Sequence, residues 1–577
     1  MTGQNATVAA DEGLAMDDGA VAAKTQNGGA LLVCALQAQG VDRVFCVPGE
    51  SYLTVLDALY DTAIDVVSAR HEGAAANMAE ADGKLTGRPG ICLVTRGPGA
   101  THASIGVHTA FQDSTPMILF IGQVGSDARD REGFQEVDFK AMFGPLAKWV
   151  AEIDDAARIP EYVARAYRTA LSGRPGPVVL SLPENMLSGP APLAPAIESV
   201  VAAHAAPRAA DLAELGEAMS RAQRPLIVVG GSGWTAQAAR SLARFAQRAA
   251  APIVSSFRRQ DVIDNAHPNY AGHMGLGIDP SLAERVRSAD LVVAVGSRLG
   301  ENTTSGYTLL TPPAPRQDLI HIHPDANELG RVYQPRLAIA CSGVEFALAL
   351  DAVEVSGGAA RGSWVAEAHA AFGRFSTPPE APAQAAAGGE HVDLGAVVRW
   401  LSETLEDDAL IANGAGNYTV WVHRFFRYRG PRTELAPTSG AMGYGVPAAI
   451  AGKLRHPQKQ VVAFAGDGCF LMYPQELATA VQHHANLVIL VVDNAMYGTI
   501  RMHQERRFPG RTVATDLVNP DFVALAKSFG AHAERVDRTS DFAAAFGRAT
   551  AAGRPALLHL KVDPAQISPT MRIAAPA

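Results

Sequence analysis

Short, continuous apolar runs alternate with longer helical stretches along almost the whole chain. The runs are rich in β-branched residues and lack the apolar–polar alternation of a half-exposed strand. Runs of this kind are typical of parallel strands that helices cover on both faces. The pattern therefore predicts an α/β fold of doubly wound parallel sheets. In chain order the predicted strands are VDRVFCV, IDVVSA, GICLVT, MILFIG, RPLIVVGG, DLVVAVGS, LIHIHPD, ALIAN, QVVAFAG and LVILVVDN.

Stretches of low complexity divide these strands into three groups. Residues 1–27 are small and polar, with several acids, and lack the basic and apolar regions of a signal peptide, so we interpret them as a flexible tail. Pro/Ala-rich stretches at 188–210 and 355–390 predict two linkers. Three α/β domains follow, at 28–187, 211–354 and 391–577.

Composition narrows the function classes. Of the 577 residues, 48% are hydrophobic and 19% charged, which excludes a disordered chain. The net charge of −9 gives no basic footprint for nucleic acid or an anionic membrane, and no apolar run reaches the roughly 18 residues of a membrane span. The five cysteines are far apart, so neither a disulfide framework nor a zinc site is indicated. We expect a cytoplasmic enzyme with a small-molecule substrate.

The first and third domains share an internal repeat. The segment 81–99 (ADGKLTGRPGICLVTRGPG) aligns without gaps on the segment 450–468 (IAGKLRHPQKQVVAFAGDG). At the same offset, the segment 114–122 falls on the segment 483–491, predicted strand on predicted strand. A constant offset across two strands predicts a duplicated domain.

The two copies differ at the ends of these strands. Asp467 replaces Pro98, and Asn494 replaces Gly125. Because the carboxyl ends of parallel strands meet at one edge of a sheet, we expect Asp467 and Asn494 to lie close together. One carboxylate and one carboxamide are too few ligands for a cage made only of protein, and they suit Mg²⁺, which adds phosphate oxygens and water. The third domain alone is therefore predicted to hold a metal.

The segment GDGCF, which contains Asp467 and is followed at a distance by Asn494, resembles the signature of thiamine diphosphate (ThDP) enzymes. The resemblance is to the group of acetolactate synthase, pyruvate decarboxylase and benzaldehyde lyase, with acetolactate synthase the most similar, and it extends over residues 28–565. It implies that the first domain binds the pyrimidine of ThDP and the third binds the diphosphate.

The same resemblance implies a set of cofactor-binding residues. Asp467, Asn494 and the carbonyl of Met496 would be the Mg²⁺ ligands. The segment TSGAMGYG (438–445) would hold ThDP in its bent form through Gly440 and Met442. The remaining expected cofactor-binding residues are Gly414, Gly416, Asn417, Gly466, Gly468 and Cys469.

A catalytic carboxylate is expected in the first domain. RHEGAAANMAE (70–80) resembles the motif of the family that carries its catalytic glutamate, here Glu72. By that resemblance Glu72 hydrogen-bonds the aminopyrimidine of ThDP and promotes loss of the thiazolium C2 proton. An acid at a helix N-terminus is also favoured by the helix dipole alone.

Two further residues are candidates for contact with the substrate. Gln135, in GFQE with Phe134, matches the active-site wall of the family, and Glu50 follows the glycine of VFCVPGES. Acetolactate synthases have small residues at the position of Glu50, whereas an acid there resembles the decarboxylases. The reaction therefore stays open between a C–C lyase or carboligase acting on 2-oxo acids or 2-hydroxy ketones and a 2-oxo acid decarboxylase. A non-catalytic ThDP-domain protein is a third alternative.

The resemblance also bears on FAD and on partners. The stretch VGSRLGENTTSGY (295–307) departs from the Asp-Asp-Arg of the flavin-binding synthases, and RPLIVVGGSG (224–233) falls short of a dinucleotide fingerprint, so we expect no FAD. In the family, the two halves of each active site come from different subunits. The resemblance thus implies a homodimer or homotetramer.

Overall fold

A computed structural model describes residues 26–193, 198–379 and 391–573, without the side chains of residues 359 and 360. It contains three six-stranded parallel sheets, each covered by helices, and this confirms the predicted α/β class. Residues 1–25 of the predicted tail and 380–390 of the second predicted linker lie outside the described residues.

The first sheet has the strand order β3-β2-β4-β5-β7-β6. Every residue of its β5 strand is buried, which is why the sequence there is apolar without alternation. A short antiparallel pair, β1 with β8, closes the domain outside this sheet. The strands are β1 (Gln26–Asn27), β2 (Arg43–Cys46), β3 (Asp65–Ser68), β4 (Gly90–Val94), β5 (Met117–Gln123), β6 (Trp149–Glu152), β7 (Pro177–Pro183) and β8 (Pro190–Ala191). The helices are Gly28–Ala38, Leu53–Tyr60, Glu72–Thr86, Gly97–Asp113, Phe139–Phe143, Ile159–Leu171 and Glu184–Ser188.

The middle sheet has a different order, β11-β10-β9-β12-β13-β14. This is the doubly wound order of dinucleotide-binding folds, whose switch point lies between β9 and β12. The strands are β9 (Pro225–Val229), β10 (Ile253–Ser255), β11 (Tyr270–His273), β12 (Leu291–Val295), β13 (Asp318–Ile322) and β14 (Leu337–Ile339). The helices are Ala209–Arg221, Ala236–Arg248, Pro280–Ser288, Gly343–Ala349 and Gly362–Phe375.

The third sheet repeats the order of the first, β16-β15-β17-β18-β20-β19. The strands are β15 (Leu410–Asn413), β16 (Glu434–Leu435), β17 (Val461–Gly466), β18 (Val488–Asp493), β19 (His532–Val536) and β20 (Ala556–Lys561), followed by the antiparallel pair β21 (Gln566–Ser568) and β22 (Met571–Arg572). The helices are Leu394–Thr404, Tyr418–Phe425, Gly445–Arg455, Asp467–Phe470, Glu476–Gln482, Gly498–Arg507, Phe522–Ser528 and Thr539–Ala551.

The shared strand order confirms the predicted duplication. The helix that follows β4 begins at Gly97, and the equivalent helix that follows β17 begins at Asp467. The alignment of the two sequences places Gly97 on Gly466, the position directly before Asp467. The register read from the sequence therefore agrees closely with the structural equivalence at the place where the copies differ in chemistry.

The predicted linker 355–390 is wrong in its first half. The helix Gly362–Phe375 lies there and buries Ala368 and Phe372 against the middle domain. Its Trp364 indole donates to the carbonyl oxygen of Pro225 at 2.9 Å. An Ala-rich composition resembles a linker, but Ala is also the strongest helix former, and apolar residues at Trp364, Ala368 and Phe372 share one helix face.

The first and third domains share one core. The helix Glu72–Thr86 packs on the helix Gly445–Arg455, and one apolar cluster contains buried residues of both domains. Inside this contact, Lys84 forms ion pairs with Glu80 at 3.3 Å and with Asp113. The Tyr444 hydroxyl, from the third domain, donates to Glu80. The two copies are thus joined by apolar packing around a buried charged cluster.

None of the helices among the described residues is long and apolar enough to cross a membrane.

Candidate active site

A cleft of about 1520 Å³ opens at the carboxyl edge of the third sheet. Its walls come mainly from the segments that follow β15, β17 and β18. Residues of the middle domain close one side. This position is where open parallel sheets bind ligands, because strand ends and helix N-termini converge there.

Asp467 begins a short helix directly after β17 and is 2% exposed. One carboxylate oxygen accepts from the Gly468 amide at 2.9 Å, and the other accepts from the Asn519 side-chain amide at 2.8 Å. Burial raises the pKa of Asp467 to about 6. The carboxylate is therefore held in place in a setting that favours a cationic neighbour.

The neighbouring Asp493, at the end of β18, stabilises this arrangement. The Asn519 amide also donates to Asp493 at 3.0 Å, and Asp493 contacts His559 at 2.7 Å and Lys561 at 2.8 Å. Burial opposes ionisation, but His559 and Lys561 lower the pKa of Asp493 well below its usual range. Sequence reasoning missed Asp493 and Asn519, although a charged residue at the end of an apolar strand is a signal for the first.

Asn494 and Met496 follow Asp493 and line the same cleft as Asp467. The side-chain oxygen of Asn494 accepts from the Met496 amide at 3.2 Å, which ties the two residues into one turn. Ala495 between them has a left-handed φ of 56°. A carboxylate, a carboxamide oxygen and a backbone carbonyl form a set of hard oxygen donors, and this set fits Mg²⁺.

Glycines leave room for a group beside these donors. A Cβ on Gly468 would lie 2.5 Å from the Tyr497 ring, and one on Gly466 would lie 3.0 Å from the Tyr418 ring. Gly416 has a φ of 150°, which L residues rarely adopt. Backbone can thus approach a ligand closely here, as the binding of a diphosphate requires.

Most of the predicted cofactor-binding residues of the third domain meet in this cleft. The exception is Gly414, whose amide donates to the Tyr418 hydroxyl at 3.0 Å. Cys469 is buried, and its sulfur accepts from the Gly443 amide at 3.2 Å. The lining residues among those predicted are Gly416, Asn417, Gly440, Met442, Gly466, Asp467, Gly468, Cys469, Asn494 and Met496.

The segment with Gly440 and Met442 is a turn between β16 and the helix Gly445–Arg455. Gly440 and Gly443 both have left-handed φ values, of 70° and 80°. A Cβ on Gly443 would lie 2.7 Å from the side chains of Met472 and Tyr473, so no larger residue fits. Met442, between these glycines, faces the cleft.

Glu72 lies at the carboxyl edge of the first sheet and begins the helix Glu72–Thr86. Its carboxylate contacts the His102 ring at 2.8 Å, and the His102 ring stacks on His71 with centroids 4.5 Å apart. The His71 ring caps the helix by accepting from the Gly73 amide at 3.0 Å. Burial, together with the neighbouring His102, lowers the pKa of His71. Glu72 is therefore partly buried, with a defined partner.

Glu50 and Gln135 lie at the same edge of the first sheet. Glu50 pairs with Arg96 at 3.2 Å, and hydrogen bonding from its own backbone and from Arg96 lowers its pKa. Gln135 has a left-handed φ of 66° and accepts from the Gly97 amide through its carbonyl. Phe134 is largely exposed. These residues and Glu72 form a first-domain group that does not line the third-domain cleft of the same chain.

The comparisons with known proteins match this division of the chain. Residues 26–142, 212–350 and 414–560 match, in order, the N-terminal TPP binding domain, the central domain and the C-terminal TPP binding domain of thiamine pyrophosphate enzymes. The chain is 30% identical to the acetolactate synthase isozyme 2 large subunit of Escherichia coli over 539 residues, 93% of this chain and 96% of that one. The chain belongs to the thiamine pyrophosphate enzyme family.

Other relatives are also acetolactate synthase large subunits that match most of the chain. An acetolactate synthase large subunit of Parasynechococcus marenigrum is 31% identical, over 88% of this chain and 83% of its own. A probable acetolactate synthase large subunit of Methanocaldococcus jannaschii is 29% identical, over 94% and 93%. The protein is therefore a ThDP-dependent enzyme, and the third-domain cleft lies within the residues that match the C-terminal TPP binding domain.

Proposed function

We propose that this enzyme is a ThDP- and Mg²⁺-dependent C–C lyase or carboligase that acts on 2-oxo acids or 2-hydroxy ketones, as an acetolactate synthase does. The observation that carries the proposal is the buried Asp467, which faces the cleft with Asn494 and Met496 in the second copy of a duplicated domain whose first copy carries Glu72. The similarity to acetolactate synthases supports the choice of substrate class.

In this proposal Asp467, Asn494 and Met496 hold the metal, and the glycine-rich turns around Gly468 hold the diphosphate. Bound ThDP supplies an electron sink for making or breaking a bond next to a carbonyl. Glu72 holds and moves a proton at its carboxylate, which the His102 ring keeps in one orientation. The side-chain amide of Gln135 donates or accepts a hydrogen bond at the wall of the substrate site.

Glu72, Glu50 and Gln135 do not line the third-domain cleft of their own chain, and this supports a homodimer or homotetramer with active sites shared between subunits. A complementation experiment tests the sharing. In the proposal, the Glu72→Gln and Asp467→Ala proteins each lose most of their activity. Unfolding and refolding them together would form mixed oligomers with some intact sites, so activity should reappear. Persistent inactivity of the mixed, refolded protein contradicts a shared site.

The decarboxylase alternative requires Glu50 to donate a proton. Hydrogen bonds from its own backbone and from Arg96 lower the pKa of Glu50, which makes it a weaker proton donor. The test of function is a screen of 2-oxo acids and hydroxy ketones with ThDP and Mg²⁺, read by product identity. From pyruvate, acetolactate or acetoin supports a carboligase, and acetaldehyde alone supports a decarboxylase. No product from any substrate, with ThDP bound, would support the non-catalytic alternative.

We further propose that the middle domain binds no FAD. The Arg259 guanidinium donates to the carbonyl oxygens of Gly231, in the turn after β9, and of Asp113, each at 2.8 Å. The Trp234 indole donates to the Gly230 carbonyl at 2.8 Å. Two large side chains thus bond to the glycine turn that the phosphates of a dinucleotide would have to approach. Flavin absorbance in the purified, fully active protein would contradict the proposal.

A further inference from the structure

The Glu72 carboxylate uses only one of its two oxygens in the chain itself. Its Oε2 contacts the Nδ1 of His102 at 2.8 Å, and among the described residues no other side chain or amide hydrogen-bonds to it. Its Oε1 lies beside Gly99, where a Cβ would be 3.5 Å away. The Glu72 side chain is 14% exposed and that of His102 is 51% exposed. One oxygen is thus left for the cofactor, and the other is bonded to a half-exposed histidine.

The ring of His102 is held in place by His71. The two rings stack with centroids 4.5 Å apart and planes at 29°. His71 is itself fixed, since its Nδ1 accepts from the Gly73 amide at 3.0 Å and its ring packs on Tyr473 with centroids 5.1 Å apart. A ring that accepts at Nδ1 carries its hydrogen on Nε2 and is uncharged. Burial and the neighbouring His102 lower the pKa of His71, in agreement. His71 is thus a fixed, neutral surface against which His102 stacks.

The contact between His102 and Glu72 allows a proton to lie on either side. With Glu72 ionised the hydrogen is on Nδ1 of His102, and with Glu72 protonated it is on Oε2 while Nδ1 accepts. An imidazole can take up a proton at one nitrogen while it releases one from the other. The Nε2 of His102 has no hydrogen-bond partner in the part of the chain that the structure describes. The ring therefore connects a mostly buried carboxylate with water.

Glu72 needs such a connection in the proposed function, because it gives up and regains a proton in every cycle. Once cofactor and substrate fill the shared site, water is excluded from its carboxylate. We propose that His102 relays protons between Glu72 and solvent, an inference that rests on the proposed function. In each transfer a proton from water forms an N–H bond at Nε2, the N–H bond at Nδ1 breaks, and an O–H bond forms at Oε2. The reverse transfer restores the ring, so His102 acts through Glu72 as a positioning residue.

The test measures how fast the C2 hydrogen of enzyme-bound ThDP exchanges for deuterium, by acid quenching and NMR. It uses the full-length enzyme with ThDP and Mg²⁺ and needs no substrate. His102→Asn keeps an N–H donor near the position of Nδ1 but cannot pass a proton on. It should slow the exchange at least about tenfold. The ThDP affinity, measured by calorimetry, should stay within about twofold of the wild type, because the hydrogen bond to Glu72 is kept.

Two further variants separate a relay from a structural role. His108→Asn is the matched control, since His108 lies on the same helix, Gly97–Asp113, and makes no hydrogen bond with Glu72. It should leave both the exchange rate and the ThDP affinity unchanged. In His102→Ala, added imidazole should restore part of the exchange, because it can occupy the vacated space and carry the proton.

Exchange in His102→Asn that stays within about twofold of the wild type overturns the inference. So does equal slowing in His108→Asn, or a matching loss of ThDP affinity in His102→Asn, which would make the histidine a structural support. Failure of imidazole to restore exchange in His102→Ala also overturns the relay. If His102→Asn does not fold, His102→Gln replaces it. Exchange that depends on His102 in an enzyme that forms no product from 2-oxo acids or hydroxy ketones would refute the proposed function alone.

Discussion

The first and third domains have the same strand order and different chemistry at the same edge of the sheet. After β4 the first domain has Pro98 within the start of a helix, and after β17 the third domain has Asp467. The first domain instead carries Glu72 at the start of the helix that follows β3. In the proposed function, the two copies thus share a core, and a few residues after strand ends decide which copy binds the metal and which holds the proton.

The largest effect on ThDP binding and turnover should come from replacing Asp467, and replacing its equivalent Pro98 is the comparison. Asp467→Ala removes one of the oxygen ligands of the proposed Mg²⁺, so we expect ThDP affinity to fall at least about 100-fold and turnover to vanish. Titration with ThDP, followed by intrinsic fluorescence, measures the ThDP affinity, and initial rates measure turnover. Pro98→Ala, at the equivalent position of the first copy, should leave both nearly unchanged. Loss of ThDP binding in Pro98→Ala as well would remove the functional contrast between the copies.

Glu72→Gln should separate catalysis from binding. The amide keeps the shape of the side chain but cannot hold and release the proton, so we expect turnover to fall by about 10²- to 10⁴-fold. ThDP affinity should stay within a few-fold of the wild type, in contrast to Asp467→Ala. Full activity of Glu72→Gln would be incompatible with the proposed function.

The equivalent lysines Lys84 and Lys453 should differ in their effect on stability. Lys84 forms ion pairs with the buried Glu80 and Asp113. Burial acts to raise the pKa of Asp113, but Lys84 and Arg259 outweigh it and lower this pKa to about 2. Lys84→Met should lower the free energy of unfolding by about 3–5 kcal/mol. Lys453 donates to the Lys459 carbonyl, and Lys453→Met should cost less than about 1 kcal/mol. Urea denaturation measures both, and equal losses would contradict the comparison.

The smallest effect concerns the acids that begin the equivalent edge strands. Burial and the nearby Asp261 raise the pKa of Glu434, on β16, to about 7 from the usual 4.5. As the pH rises from 4.5 to 7, Glu434 loses its proton in the unfolded chain before it does so in the folded protein. The free energy of unfolding therefore falls over this range, and the loss is complete by pH 8. Glu434→Gln should therefore stabilise the protein by about 1–3 kcal/mol at pH 8 and hardly at pH 4.

Asp65 is the control for this last prediction. It begins β3 and forms a partly exposed pair with Arg43 at 2.8 Å. Asp65→Asn should change stability by less than about 1 kcal/mol at either pH. Urea midpoints at pH 4 and pH 8 provide the measurement. A stabilisation by Glu434→Gln that is equal at both pH values would show that its ionisation is not the cause.

The sequence predicted central strands such as β5 and β18 because they are buried on both faces and therefore apolar throughout. It missed the interior strands β7, β10 and β20, and of the edge strands it predicted only β3. Two-residue β16 and polar β19 lie at the edges of their sheet, where neither length nor hydrophobicity is required. The helix Gly362–Phe375 was mistaken for part of a linker because alanine is frequent in both.

For the site, the repeat singled out Asp467 and Asn494, since a difference between two copies stands out against their shared background. Arg258 and Asn519 could not be found in this way. Arg258 lines the cleft from the middle domain, and that domain has no duplicate. Asn519 contacts Asp467 across 52 positions of sequence, through a loop without a recognisable motif.

The helix Gly445–Arg455 of the third domain is apolar over most of its surface, and eight of its residues are buried. Its partner is the helix Glu72–Thr86 of the first domain, which is almost wholly buried as well. If either domain were produced without the other, its apolar helix face would be exposed and the protein would aggregate. Gene fragments encoding one copy alone should therefore yield aggregated protein, and a fragment that carries both copies should not.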